Sequence, residues 1–357
     1  MSVEDFMRNH LVDHVPEDSC ERPFTLRQGE PGASDDPAES SGLSMERSRA
    51  LTYQERVVVR RFSGRIGWPT VGLALALMMA ELGTIWLWTA GIVPMTVGFV
   101  VNSLVSYAFY TVHHEATHKN ISGRNPKWRW LDAVCGNVAG CVLQLDLRAY
   151  ATTHLRHHAH TNTAADPDLA VKGSLWQLPL KWTVATLVLV IGALPWGERL
   201  VDRALRRLRM RLPVSNSPRD DFDRVRLRRL VQFGLVVLVA ASALGEFWPV
   251  FMLWWVPSRV GILILMVFFQ WLPHFPFDRT DRFGATRVAR FPGSTWLLLQ
   301  QDHHLIHHLY PSIPWYRYRA AYRELRPLLE AKGAIIQGLG TSPYIPIQLR
   351  VRAPVRT

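Results

Sequence analysis

One spelling, used twice, constrains this chain more than any other feature in it. His154-x-x-His157-His158 recurs far downstream as His304-x-x-His307-His308, inside the run QDHHLIHHLYP (Gln301–Pro311). On a helix, residues three and four apart share a face about 5–6 Å apart. Each box is therefore expected to aim three imidazoles at one point, an arrangement suited to a metal. A related pair, His114-x-x-x-His118, stands upstream. Any fold open to the chain has to bring these three boxes together.

The surroundings say where. Apolar residues make up 48 % of the 357 positions, with 14 tryptophans, yet mean hydropathy is only +0.02 because very apolar blocks alternate with very charged ones. That unevenness fits a membrane protein with sizeable aqueous parts. The net charge of +12 follows from basic residues that set topology, and no DNA- or RNA-binding signature accompanies it, which excludes nucleic acid as a partner. Cys20, Cys135 and Cys141 form no C-x-x-C. An iron–sulfur cluster or zinc ribbon is thus excluded, and the thiols read as ordinary ones in a reducing compartment.

Residues 1–50 are polar, with an acidic patch at Glu30–Glu39, and are expected to form a disordered cytosolic tail rather than a signal peptide. The pair His10 and His14 lies there, in a segment without a core. Arg47, Arg49, Arg56, Arg60, Arg61 and Arg65 then precede the first apolar block, which places the N-terminus in the cytosol. Trp68–Gly91 and Ile92–Val112 read as two spans. Glu81, near the middle of the first, is either a functional carboxylate or a protonated residue facing the bundle. Ile121–Ala151 suits a helix lying in the interface. Leu175–Trp196 is apolar again, but a crossing there would put Gly197–Arg229, with eleven arginines against five acids, outside the cell. That contradicts the positive-inside rule, so 175–196 is expected to be re-entrant or interfacial. Leu230–Trp248 and Val250–Trp271, joined near Pro249, complete the set. His274 follows in WLPHFP, then a charged connection over 275–299, and Pro314–Gly333 reads as an amphipathic helix. The expected fold is an all-α integral membrane protein with four transmembrane helices and a cytosolic helical cap carrying the metal site. Its layout is a tail over 1–50, a membrane domain over 51–335 and a C-terminal tail over 336–357.

The candidate ligands are His114, His118, His154, His157, His158, His304, His307 and His308, joined by His274. Neutral imidazole takes zinc, copper, nickel or iron, so residue type does not name the metal. Number says more, because eight or nine histidines fit two metals, each with an open position. His113, His160, His303 and Glu115 are placed behind the ligands. Asp166 and Asp168 either orient ligand imidazoles from behind or cap a turn around Pro167. One rival reading exists: His114–His118 spells HEATH, a match to the H-E-x-x-H of zinc metalloproteases. A single zinc with three ligands would leave both H-x-x-H-H boxes unexplained.

Three boxes in this order, with paired spans between the second and third, resemble the membrane fatty-acid-desaturase superfamily over roughly Trp68–Gly333. The resemblance implies a di-iron, O2-dependent oxidoreductase of long apolar substrates, with the eight box histidines and His274 as iron ligands. Glu115 departs from the aspartate usual there and keeps its charge. HLRHHAHTN followed by DPD, WLPHFP, and HHLIHHLYPSIPWYRY are similar to carotenoid β-ring hydroxylases and ketolases. The implied function is carotenoid β-ring hydroxylation, with fatty-acyl desaturation as the alternative and ketolation or proteolysis behind it. Electrons have to come from an external carrier such as a ferredoxin, since the chain has no flavin, haem or iron–sulfur motif. The arginine-rich stretches Arg203–Arg211 and Arg224–Arg229 are a dock for that carrier or simply topology-setting charge. The implied location is the cell's inner or plasma membrane, with the site and the N-terminus cytosolic.

Overall fold

The structure is a computed structural model and describes residues 53–207 and 218–338. The expected disordered tail over 1–50, with His10, His14 and Cys20, lies outside the described residues, as do 208–217 and 339–357. The chain divides into a unit over 1–57, of which only the helical residues 53–57 are described, and a unit over 58–357. The second holds everything that follows.

Helices α1 (Trp68–Thr89) and α2 (Met95–Thr117) form the first apolar hairpin. Gly91, at φ +71°, takes the left-handed conformation that L side chains resist, and Pro94 caps α2. The second helix does not stop at Val112 as expected. It continues through box one to Thr117, so His114 lies in its last turn and His118 closes it. Glu81 is buried on α1, and its Oε2 has no hydrogen-bond partner among the described residues.

The single interfacial helix expected over Ile121–Ala151 is instead two helices, α3 (Arg129–Leu143) and α4 (Leu147–His160). Gln144, left-handed at φ 53°, ends the first. Asp146 starts the second by accepting from the Arg148 and Ala149 backbone N–H groups at 3.0 and 2.9 Å, a standard N-cap. At Gly136 a Cβ would stand 2.8 Å from Ala116 Cβ, so glycine is what lets α3 lie against α2. Box two rides back on α4.

Helix α5 (Leu178–Ala193), α6 (Gly197–Arg207), α7 (Pro218–Ala243) and α8 (Phe247–His274) follow. The break between the last two falls at Gly245 (φ +76°) and Glu246, not near Pro249. Pro249 sits in the first turn of α8, where its missing N–H costs no helix bond. Two π-helical turns, Phe251–Trp255 and Met266–Trp271, interrupt α8. Among the described residues, four helices are long and apolar enough to cross a membrane: α1, α2, α8 and the stretch Leu175–Ala193. The expected Leu230–Trp248 is not among them: residues 230–243 are the second part of α7, whose first part carries Arg226, Arg228 and Arg229, and Trp248 lies in α8.

The fold is mostly helical but not all-α. Within the expected charged connection, strand β1 (Arg287–Arg290) pairs in parallel with β2 (Ile335–Gly338), Arg287 opposite Ile335 and Ala289 opposite Gln337. Parallel strands require a long crossover. Here it is supplied by α9 (His304–Leu309) and α10 (Tyr318–Ala331). Val288, Leu305, Ile306, Tyr318 and Leu325 form the core beneath it. β2 runs past the boundary expected at residue 335.

Candidate metal centre

Four chain segments deliver nine imidazoles to one place: the end of α2, the middle of α4, the last residue of α8, and α9. The nitrogens sort into two groups. His114, His118, His154, His158 and His307 form one; His157, His274, His304 and His308 form the other. Each group's ligand atoms lie within 4.8 Å of one another.

Neither H-x-x-H-H box aims all three rings at one point, contrary to expectation. At 100° per residue, positions four apart differ by only 40°, whereas position i+3 falls on the other flank, 100° from i+4. His304 and His308 therefore share a group and His307 joins the other. Likewise His154 and His158 pair while His157 crosses over. Each box contributes to both groups except box one, which serves the first alone.

The separations are those of a ligand shell. In the first group, Nε2 atoms stand 2.9 Å apart for His114–His154, 3.0 Å for His114–His307, 2.9 Å for His118–His154, 3.1 Å for His154–His158 and 2.8 Å for His158–His307. In the second they are 3.3 Å for His157–His308, 3.1 Å for His274–His304 and 3.0 Å for His304–His308. Nitrogens held about 2.0–2.1 Å from one metal stand roughly 3 Å from their neighbours. Hydrogen bonding alone does not account for this, because a neutral imidazole has one N–H and His154 Nε2 faces three other nitrogens. The donor set fits a cation in each group.

Electrostatics keep these rings neutral, as ligation requires. Burial pushes His118 down to about 3. Burial first, then repulsion from neighbouring imidazoles, holds His154, His158, His304, His307 and His308 well below the ordinary value. His157 is the exception. Burial pulls it down, but the charge of Asp168 and the hydrogen bond to Asp166 outweigh burial and raise it.

Rear contacts reach three of the rings. His157 Nδ1 is 2.8 Å from Asp166 Oδ1, His307 Nδ1 is 3.0 Å from the Tyr318 hydroxyl and His308 Nδ1 is 3.4 Å from the Thr161 hydroxyl. Asp166 does both jobs considered for it. The same carboxylate accepts from Asp168 N at 2.8 Å and Asn162 N at 2.7 Å, capping the turn at Pro167. Asp168 Oδ2 stands 3.7 Å from His157 Nδ1, too far for a hydrogen bond, and accepts from Gln270 at 3.4 Å.

The remaining described histidines stay out of both groups. His113 is fully buried with its ring edge-on to Tyr150 at 5.0 Å. His160 is exposed at the end of α4. His303 is fully buried, its Nδ1 2.7 Å from Asp302 Oδ1. Glu115 belongs to neither group; its Oε1 accepts from Asn120 at 3.3 Å, and Asn120 also donates to Pro311 O at 2.9 Å. A protease's general base would have to face the metal, so HEATH gains nothing from the structure.

Aromatic rings that sequence reasoning did not single out close the site. Phe269, in the second π-turn of α8, sets its ring 5.0 Å from His114 and 4.8 Å from His304, touching both groups. Tyr110 and Tyr150 share a hydrogen bond through their hydroxyls and stack on His114 and His154. Tyr318 closes the run YPSIPWYRY, whose spelling pointed to substrate rather than to a ligand's rear nitrogen. Phe269 left no signal, since one apolar residue in an apolar helix looks like any other.

A family model described as fatty acid desaturase matches residues 86–339. The beta-carotene ketolase of Paracoccus sp. strain N81106 is 26% identical over 69% of this chain and 87% of its own length. That of Paracoccus sp. strain PC1 is 26% identical over 70% and 88%. A Delta(12) acyl-lipid conjugase of Impatiens balsamina is 25% identical over 65% of this chain and 66% of its own length. The chain is an oxidoreductase of the fatty acid desaturase family.

Proposed function

We propose that this chain is an O2-dependent di-iron membrane oxidase whose substrate is a carotenoid, hydroxylated on its β-ring. The observation that carries the metal part is the division of nine histidines into two groups with ligand-shell spacing. His114, His118, His154, His158 and His307 would hold one iron and His157, His274, His304 and His308 the other. Bound there, the two ions would supply O2 activation and removal of hydrogen from an unactivated C–H bond.

The chain's own residues do the rest. Asp166 accepts a hydrogen bond from His157 Nδ1–H, and the Tyr318 oxygen one from His307 Nδ1–H, which fixes each ring with a bare Nε2 lone pair directed inward. Phe269, Tyr110 and Tyr150 wall the groups with apolar surface, excluding water and leaving the reacting carbon to be positioned by shape. Geometry at about the 1 Å level then selects the bond that reacts.

The carotenoid reading is supported by the two ketolase relatives, which align over most of their length. Hydroxylation is the shared first step, because a second hydroxylation at the same carbon followed by loss of water gives a ketone. Fatty-acyl desaturation is the second reading, favoured by the plant acyl-lipid relatives, among them an omega-6 desaturase of Glycine max that is 24% identical over 66% of this chain.

The proposal extends to setting: a membrane domain over 51–335 in the cell's inner membrane, the site and N-terminus cytosolic, and an external one-electron donor. It keeps 175–196 as a segment that does not cross. In support, Ala193 O accepts from Gln232 at 2.8 Å, well before the end of α7 at Ala243.

Expression in a host that makes β-carotene, with lipid profiling alongside, tests the substrate. Hydroxylated carotenoid is the expected product; altered acyl chains with untouched carotene would move the assignment to the second reading. Metal analysis of the purified protein should find one iron for each of the two groups, and a single zinc would sink the di-iron reading.

A further inference from the structure

His303, the fourth histidine of QDHHLIHHLYP, ligates nothing, yet it is fully buried and tightly held. Asp302 Oδ1 takes its Nδ1 at 2.7 Å, and the other oxygen of Asp302 accepts from Ser294 and Thr295 at 2.7 and 2.9 Å. Its ring packs edge-on against Tyr322 of α10 at 5.0 Å. Over Tyr322 lies the exposed guanidinium of Arg290, 5.9 Å from the ring centroid. A short packed path thus runs from Arg290 at the surface through Tyr322 and His303 to the next residue, His304, a proposed ligand. A second contact from the same helix, Tyr318 to His307 Nδ1, reaches the other group.

The surface over this path is strongly basic. Arg290, Arg317, Arg319, Arg323, Arg326 and Lys332 surround α10, and its two carboxylates are engaged: Glu324 by Arg61 at 2.8 Å and Glu330 by Arg326 at 2.7 Å. The arginine-rich stretch on α6 and α7 is partly paired in the same way. There Arg226 is held by Asp146 at 2.8 Å and Arg228 by Glu198 at 3.1 Å.

We infer that the electron donor docks on the Arg290–Arg323 face over α10, and that it is a small acidic one-electron carrier, for which an acidic [2Fe–2S] ferredoxin serves as the probe. The inference rests on the di-iron oxidase reading and adds the place and chemistry of the partner. Hydroxylation takes RH, O2, two electrons and two protons to ROH and H2O. Two reduced carriers therefore dock in turn for each product, each leaving oxidised by one electron. Opposite charge steers encounter and sets register at such a face.

The test uses the iron-loaded protein in nanodiscs and a reduced acidic [2Fe–2S] ferredoxin. The double variant Arg290→Glu/Arg323→Glu should bind ferredoxin at least tenfold more weakly at low salt, with the difference shrinking as ionic strength rises. Its rate of reduction by ferredoxin, divided by its rate with dithionite, should fall in step; a folding defect would lower both rates and leave the ratio alone. Arg203→Glu/Arg207→Glu, on α6, is the control and should bind like the parent. Parent-like affinity in the first variant overturns the inference, as does loss of affinity in the second. So does a first variant that loses binding to phosphatidylglycerol vesicles but not to ferredoxin, which would give this face to lipid. Protein that retains no iron would instead overturn the oxidase reading beneath it.

Discussion

His157 and His307 are the odd members of their boxes, and their rear nitrogens are gripped at 2.8 and 3.0 Å. The grips differ in kind. Asp166 is a buried carboxylate and Tyr318 a neutral phenol, so the first makes its imidazole the stronger donor. Asp166→Asn should weaken metal affinity by about 10–100-fold, read by competition with a chromophoric chelator; affinity equal to the parent's would mean that His157 is not oriented from behind. His307→Ala should abolish product and lower the iron content of the purified protein. Full activity in that variant would refute its assignment as a ligand. The eight box histidines were legible as candidate ligands from spacing alone, and His274, a lone histidine in WLPHFP, through the resemblance. Their partition between two groups was not, because it depends on which flank of α4 and α9 faces which neighbour.

Box two is carried on α4, and what holds that helix in place is the residue just before it. Asp146 caps it and also pairs with Arg226 of α7 through two hydrogen bonds, at 2.9 and 2.8 Å. Burial pushes this carboxyl up, but the bond to Arg226 and the backbone N–H donors outweigh burial and hold it below its ordinary value. A group depressed in this way stabilises the fold fully above its unfolded pKa and loses that contribution as pH falls through the folded one. Stability supplied by Asp146 should thus be present at neutral pH and fade progressively as pH falls below about 4. Asp146→Ala should cost about 1–2 kcal/mol at pH 7, seen as a lower melting temperature. A variant as stable as the parent at pH 7 would remove Asp146 from this role. The cap was readable in the sequence only as an aspartate before a periodic run. The break at Gln144 that makes it a cap was not, because no glycine or proline marks it.

Across the whole molecule, depth is set by a single buried cation. Arg259 Nη2 donates to Leu143 O at 2.6 Å, tying the tip of the α3–α4 hairpin to α8 fifteen residues before His274, about 22 Å of helix. The hairpin therefore descends beside α8 and returns box two to the level of the other boxes. Helix α5 starts at that same level, where Trp271 Nε1 donates to Gly173 O at 2.8 Å, and ends beside Gln232. In a cysteine-free background, a cysteine at Arg203 should react with a membrane-impermeant thiol reagent from the same side as one at Arg323. Labelling from opposite sides would make Leu175–Ala193 a true crossing.

The sequence by itself determined the chemistry. Imidazole is a ligand by residue type, its spacing along a helix is a local property, and apolar blocks declare a membrane without reference to any partner. It also located α1, α2 and α10 to within a few residues, since periodicity, Gly91 and Pro94 are local signals too. Only the tertiary structure decided how the nine rings divide, that α3 and α4 form a hairpin, and that β1 finds β2 across two helices. Each of these depends on contacts between residues far apart in the chain, such as Arg259 with Leu143 or Val288 with Ile336. Such contacts leave no periodic trace in either segment. The opening run QDHHLIHHLYP holds both kinds of information. Its spacing marks a metal site, while the side on which His303 lies, and the tyrosine it meets there, were settled by packing.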